Sequence, residues 1–565
     1  MGYLRILFLS LCICGNLTAQ QITTAQRRSV QRGVPLVGFN LNSLTKPTWA
    51  NRSFSDSVRS LGMHIIRYPG GTESQYFDWE TGKIVPLDLW TNGTLKNFQY
   101  LAMVRAVPHT LEDFKVILER TSAKPLFCLN AVTSTLSRQL AMLRRARELG
   151  MAVEYIELAN ELFFEDADFV NKYPTATSYA ADMRIWIDSI RKEFPTAKIA
   201  LLGATEDALT PSLQPTPTRI LTWNDALFAA NLRADAITFH HYFLPGTSRQ
   251  RPQASELLAG AFRTWQRYKA YTSDSVRNGM EIWLTEYNLN DAQNDYTIAS
   301  SWIHGVFDAV LFHLMLQDAK NSMLLLHQIT GNPTYASLDS YTDFGDTTSN
   351  RLTAQGNAIR LWHTSAVGAD SVAELTFSPN PSITVGNTSH PSLIGWRFSG
   401  TRKGDCVLIN LSGQDYTVRL GDLYPILPSL PPTFESISAA NPLQLRVTTK
   451  DLTIRKGIVS SHQVSVPSYG LVRLSLQDAP TSVTTLKEPT SVTLAPNPVD
   501  HILHVAGLRD KGTITIVNML GNILCTHPFA ESSFDIDISV FPIGIFLCHI
   551  QTPTQRITTR FSVIR

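Results

Sequence analysis

Along residues 36–366 the chain switches eight times between a short apolar run and a longer amphipathic stretch. The runs cover 36–42, 64–71, 125–130, 154–160, 198–203, 236–242, 282–286 and 323–327. The stretches cover 55–62, 111–120, 136–149, 177–194, 222–232, 254–271, 299–320 and 353–366. Continuous apolar strands separated by amphipathic helices are parallel strands covered on both faces. Eight such units predict an α/β fold, a (β/α)8 TIM barrel with enlarged loops. The competing arrangement is an open doubly wound sheet. It carries a Gly-rich phosphate loop after its first strand, and Gly38-Phe-Asn-Leu-Asn-Ser43 is not one.

Length and composition set the outer bounds. At 565 residues the chain exceeds one ordinary domain. Its 44% hydrophobic content is enough for large cores. Lys+Arg 49 against Asp+Glu 47 leaves no basic surplus for nucleic acid or an anionic membrane. The N-terminus reads as a signal peptide over 1–20: Arg5, an apolar run over 6–13, and a cleavage site near Ala19 or Gln20. That run is too short to span a bilayer, so no transmembrane segment is expected in the mature chain. Cys128, Cys406, Cys525 and Cys548 remain beyond it, without C-x-x-C or metal-ligand spacing. Cys525 and Cys548 share the last module and could pair or stay buried thiols.

Past Asp370 helical periodicity stops. Short β-rich runs with Gly, Pro and Asn between them predict an antiparallel β-sandwich over 371–476. Residues 477–491, rich in Thr, Ser and Pro, read as a linker. A small β module follows over 492–565. The barrel itself is expected over 34–370.

Two apolar runs end on an acid: Tyr155-Ile-Glu-Leu-Ala-Asn-Glu161 and Glu281-Ile-Trp-Leu-Thr-Glu286. The C-terminal ends of barrel strands are where such folds keep their chemistry. Two carboxylates in one pocket are what glycoside hydrolysis requires. Glu161 and Glu286 are therefore the candidate catalytic pair. Glu157 is a weaker candidate, expected toward the interior or bottom of the barrel and far from the rim. Asn160 offers an amide beside Glu161. His240 and Tyr242 share a strand face, because successive side chains alternate. Arg67 stands near another strand end. Opposite charge holds a carboxylate ionised, so Arg67 and Tyr242 are assigned to the nucleophile. Trp79 and Trp90, in a long aromatic loop, either stack on sugar rings or plug the barrel mouth. Asn42 and Asn130 either line the site or close loops, and His241 is as well read as a core histidine. The two-carboxylate route needs no metal and no cofactor.

Two family resemblances follow from these residues. Leu494-Ala-Pro-Asn-Pro498, Ile514-Thr-Ile-Val-Asn-Met-Leu-Gly521 and Phe541-Pro-Ile-Gly-Ile-Phe546 resemble the C-terminal sorting domain of type IX secretion substrates of Bacteroidetes. Phe541 and Phe546 replace the family's Leu and Tyr. The resemblance implies that type IX secretion machinery is a partner, with secretion or cell-surface attachment after passage through the periplasm and outer membrane. Asn160-Glu161, His240-x-Tyr242 and Thr285-Glu286, in this order, resemble clan A (β/α)8 glycoside hydrolases. That resemblance implies a carbohydrate substrate, Glu161 as acid/base, Glu286 as nucleophile and retention of anomeric configuration. Arg67-Tyr-Pro-Gly-Gly71 with Phe77-Asp-Trp79 is similar to family 51. His240-His-Tyr-Phe-Leu-Pro-Gly246 is similar to family 79, and family 39 is a third alternative. A non-catalytic glycan-binding protein or an adhesin on the same scaffold would not need two acids. A serine hydrolase is disfavoured, because G-x-S-x-G is absent. The sugar, its linkage and the choice between internal and terminal cleavage stay open.

Overall fold

The computed structural model describes residues 21–27, 32–41, 49, 51–85, 108–205, 217–243, 253–276, 279–290, 298, 300–331, 335–339, 350–401, 403–423, 432–459, 462–476, 493–508, 511–518, 522–552 and 556–564. The expected signal peptide, the 477–491 linker, Asn42 and Trp90 lie outside the described residues. The chain divides into two compact units, Met1–Ala479 and Pro480–Arg565.

The first unit holds a closed barrel of eight parallel strands. They are β1 (Leu36–Asn40), β2 (Ile65–Tyr68), β3 (Lys124–Cys128), β4 (Tyr155–Glu157), β5 (Lys198–Leu202), β6 (Ala236–Phe243), β7 (Glu281–Leu289) and β8 (Asn321–His327). Each apolar run foreseen above supplies one of them. The helices that follow are α1 (Arg52–Ser60), α2 (Leu111–Thr121), α3 (Leu136–Glu148), α4 (Ala176–Glu193), α5 (Thr218–Ala230), α6 (Ala254–Tyr271), α7 (Trp302–Met315) and α8 (Ala354–Ala366). Their starts have chemical causes. Asn51, Thr110, Thr135, Thr175, Ser301 and Thr353 each accept a backbone N–H of the first turn through a side-chain oxygen. The bottom of the barrel is plugged by Ile65, Leu126, Ala200, Ala236, Trp283, Met323 and Leu325. α7 is buried along its whole length, because the barrel covers one side and the β domain the other.

The β domain differs from the expectation in two ways. The strands from Ser371 to Leu476 are joined by Gln21–Arg27 and Arg32–Gly33, which precede the barrel in sequence. Gln21–Arg27 pairs antiparallel with Ser371–Ser378 and parallel with Tyr416–Arg419, so the sheet is mixed and not purely antiparallel. Barrel and β domain share one apolar core: Trp396, Phe398, Val407, Ile409 and Leu471 belong to the same cluster as Trp362 and Phe312.

The second unit is a small β-sandwich. Sheets of three and four antiparallel strands enclose Leu503, Val505, Ile514, Ile516, Phe541, Phe546 and Phe561. Cys525 and Cys548 are free. Both stand opposite Ile516, on the two strands that flank it. Two strand spacings of about 4.8 Å separate them, beyond the roughly 7 Å Cα limit of a disulfide.

Candidate active site

Register brings the site together. Asn40 on β1 is level with Arg67 on β2 and His327 on β8. Glu286 on β7 is level with His240 on β6. A register shift falls between Phe239 and His240, and another between Leu284 and Tyr287 on the β8 side. Successive side chains of a regular strand point to opposite faces. The irregularity around Thr285 lets both Thr285 and Glu286 reach the barrel interior, since both bond to groups there. Bulges re-aim side chains in this way beside functional sites.

Arg67 is the hub, and it is fully buried. Its Nε donates to Glu157 Oε2 at 2.6 Å, and its Nη1 to Glu286 Oε1 at 2.6 Å and to Asn40 Oδ1 at 3.1 Å. Its Nη2 donates to Asn160 Oδ1 at 2.7 Å. A planar fork with five donors is suited to tying several acceptors at once. Burial alone would lower its pKa, but the Glu157, Cys128 and Glu286 fields outweigh it and raise it well above the usual value.

Glu286 is enclosed by polar groups. Tyr242 OH donates to Oε2 at 2.5 Å and Asn40 Nδ2 to Oε1 at 3.3 Å, while His327 Nδ1, which accepts from Asn40 Nδ2 at 2.8 Å, lies 3.3 Å from Oε2. Burial pushes its pKa up. The His240, His327 and Arg67 fields and the Tyr242 hydroxyl overcome this and lower it to about 2. The carboxylate is held ionised.

Glu161 lies at the end of a bent segment. Ala159 and Glu161 both have positive φ, 84° and 50°. Such backbone costs about 1–3 kcal/mol per residue and persists only where the surroundings enforce it. Here Tyr179 OH donates to Leu158 O at 2.5 Å, Arg219 Nη2 to Leu162 O at 2.7 Å, and Arg67 holds Asn160. Glu161 keeps some exposure, 15% of its side chain. Its Oε1 is 2.8 Å from His240 Nδ1, and its Oε2 accepts from Asn160 Nδ2 at 3.3 Å.

His240 links the acids. Its Nε2 is 3.0 Å from Thr285 Oγ1, which donates to Glu157 Oε1 at 3.0 Å. Burial would pull the imidazole pKa down, but Glu286, Glu157 and Glu161 raise it to about 10. Glu161, His240 and Glu286 each offer an atom within 4.8 Å of the other two. Three such ligands resemble a cation site by type. The Arg67 guanidinium on Glu286 Oε1 makes that position repulsive to a metal ion.

The structure thus gathers Glu161, Glu286, Asn160, Arg67, His240 and Tyr242 in one hydrogen-bonded cluster. Trp79 is not among their contacts: its indole N–H donates to Arg138 O at 3.1 Å, and it packs half-buried on the core. Glu157 is corrected. It is no remote acid but lies directly beneath the site, bonded to Arg67 and Thr285. Asn130 closes its own loop through Thr133, Val132 and Phe77. His241 faces away, packed on Phe243 and Tyr268. Sequence reasoning missed Asn40, Thr285 and His327. Asn40 and His327 close their strands, which was the available signal, whereas Thr285 lies in the middle of β7 and reaches the site only through the register shift. His327, Tyr242 and Tyr335 form an aromatic trio with centroids 5.6 Å apart in every pair.

Residues 493–564 match the secretion system C-terminal sorting domain, which implies export by type IX machinery to the outside or the cell surface. Among the described residues no helix is long and apolar enough to cross a membrane. A search of curated proteins by sequence finds no match. Solved structures with the same fold include a family 51 alpha-L-arabinofuranosidase from Bifidobacterium longum. It has a TM-score of 0.60 and 13% identity, covering 80% of this chain and 99% of that one. The GH51 alpha-L-arabinofuranosidase from Thermotoga petrophila RKU-1 has a TM-score of 0.57 and 15% identity, covering 80% and 100%. The GH51 arabinofuranosidase from Xanthomonas axonopodis pv. citri has a TM-score of 0.55 and 15% identity, covering 80% and 99%. The likeness shows the fold, a (β/α)8 barrel with an attached β domain. Of the three families that the motifs resemble, these neighbours belong to family 51.

Proposed function

We propose that the chain is an exported retaining glycoside hydrolase in which Glu161 is the acid/base and Glu286 the nucleophile. One observation carries this reading: a carboxylate oxygen of Glu161 and one of Glu286 lie within 4.8 Å. Retaining enzymes keep their carboxyls about 5–5.5 Å apart, whereas inverting ones leave about 6.5–9.5 Å for a water.

The environments divide the roles. Glu286 is ionised and fixed by Arg67, Asn40 and Tyr242, as an attacking carboxylate must be. Glu161 is the more exposed acid, and the acid/base role asks it to give a proton in the first step and take one in the second. Glu161 gives its proton to the leaving oxygen while Glu286 Oε attacks the anomeric carbon, and the glycosidic C–O bond breaks. Glu161 then takes a proton from water, whose oxygen displaces Glu286.

The two cations at the site are engaged by the protein itself. Among the described residues, Arg67 and the His240 ring nitrogens are already committed to protein partners. With arabinofuranosidases among the fold neighbours, an alpha-L-arabinofuranoside is the first substrate to test. Aryl arabinofuranoside, glucuronide, xyloside, glucoside and galactoside are assayed with wild type and Glu286→Ala. The initial product anomer is read by proton NMR. Turnover of the arabinofuranoside with retention, abolished in the variant, is expected. Inverted product, or activity that survives without Glu286, sinks the assignment.

A further inference from the structure

The β domain contains a second concavity that shares no residue with the carboxylate site. It is a cleft of about 430 Å3 where the two ends of the sheet path meet. Phe434 and Ser436 line one side, with Thr453 and Arg455 on the neighbouring strand and Gln463 and Ser465 across the gap. We propose that this cleft is a second carbohydrate-binding site, which takes a neutral stretch of polysaccharide while another part of the polymer occupies the barrel. The choice of a polysaccharide as occupant rests on the glycosidase reading above.

Three observations carry it. The first is an aromatic platform. Phe434 pairs in register with Gly457, and a Cβ at Gly457 would meet Phe434 Cε1 at 2.9 Å and Cζ at 3.2 Å. The ring therefore lies across the glycine of the next strand, half-buried against the β-domain core, and lines the cleft with what remains exposed. An aromatic face held in this way stacks on the apolar face of a sugar ring.

The second is polar chemistry left open. Thr453, Arg455, Gln463 and Ser465 are exposed, and their side chains make no hydrogen bond among the described residues. Hydroxyls, an amide and a guanidinium around one aromatic ring match the mixed donors and acceptors of a neutral sugar. Asp415, also in the lining, is fixed by the Ser468 backbone N–H at 2.8 Å. Its charge offsets that of Arg455.

The third is placement. The lining residues Ala439 and Ser468 stand close in sequence to two anchors on the barrel. Pro442 O accepts from Ile303 N at 2.9 Å, and Tyr469 O accepts from the Trp302 indole at 2.7 Å. Trp302 and Ile303 open α7, the helix after β7. In a βα unit the helix starts at the end where the strand finishes, which is the end that carries Glu286. One polymer held at both places gains from raised effective concentration.

The test uses the full chain carrying Glu286→Gln in native affinity electrophoresis through soluble arabinan or soluble arabinoxylan. Retardation is expected. Adding Arg455→Ala, or Ser465→Trp to fill the cleft, should weaken the apparent affinity by about fivefold or more, as for a lost hydrogen bond. Both positions are exposed, so the fold is not at risk. The same two changes in a chain with Glu286 intact should leave hydrolysis of a small aryl glycoside unchanged. No retardation on either polymer, or retardation that both variants leave intact, overturns the proposal. Retardation that the variants abolish, in a chain whose parent cleaves no aryl glycoside, removes the hydrolase reading and still supports this site.

Discussion

At Glu286, the energetics of one side chain depend on five neighbours. A buried carboxylate is costly unless paired and hydrogen-bonded, and here Arg67, Asn40, Tyr242, His327 and His240 together offset that cost. His240 is the converse, an imidazole kept charged by carboxylates, and it makes stability depend on pH. Its folded pKa, raised to about 10, lies above the ordinary 6.5. Its contribution is therefore complete below about pH 6.5 and is lost as pH rises through about 10. Glu286 acts in the opposite direction: its pKa falls from 4.5 to about 2, so its contribution is present above about 4.5 and lost as pH falls through about 2. The melting temperature should decline between pH 7 and 10, and His240→Gln should flatten that decline. An equal slope in the variant would show that His240 is not the charged partner. Which residues meet was only partly legible. Arg67, Tyr242 and Glu286 could be grouped from strand-end position and charge. Glu157 could not be placed, because its depth depends on barrel tilt and on a bulge that no local pattern announces.

Two glycines show how strands β1 and β2 set this geometry. A Cβ on Gly38 would lie 1.9 Å from Ile65 O, a backbone atom on the adjacent strand that cannot turn away. A Cβ on Gly71 would lie 2.9 Å from Glu286 Oε1, the movable end of a side chain, and Gly71 has no positive φ to protect. The consequences should separate. Gly38→Ala should destabilise the protein by more than the roughly 1–3 kcal/mol of ordinary overpacking, read from urea unfolding. Gly71→Ala should cost less stability than Gly38→Ala, because a side chain can shift where a backbone carbonyl cannot, but should cut kcat by roughly 10²-fold, the cost of a misplacement of about 1 Å. Loss of stability in Gly71→Ala with kcat preserved would contradict the placement of that carboxylate. Every barrel strand was foreseeable from its apolar run. Helix ends were less so: α7 begins at Trp302 and not at residue 299, because Ser301 supplies the cap.

The two compact units make different demands on the whole molecule. The sorting module has its own core, and the barrel and β domain share another. Removing residues 480–565 should leave the melting temperature and hydrolysis of the remaining unit unchanged. Removing residues 21–27 should lower both, because that strand joins two strands otherwise unpaired with each other. Differential scanning calorimetry of the two truncations decides between these outcomes, and an equal effect of both would refute the division. The alternation of apolar runs, the strand-end glutamates and the sorting motif were written in local order, because periodicity, burial and turn chemistry act over a few residues. Barrel closure, the hub at Arg67, the approach of Glu161 to Glu286 and the return of residues 21–27 into a later sheet were not. Each depends on register between strands far apart in sequence, which exists only once the chain has closed on itself.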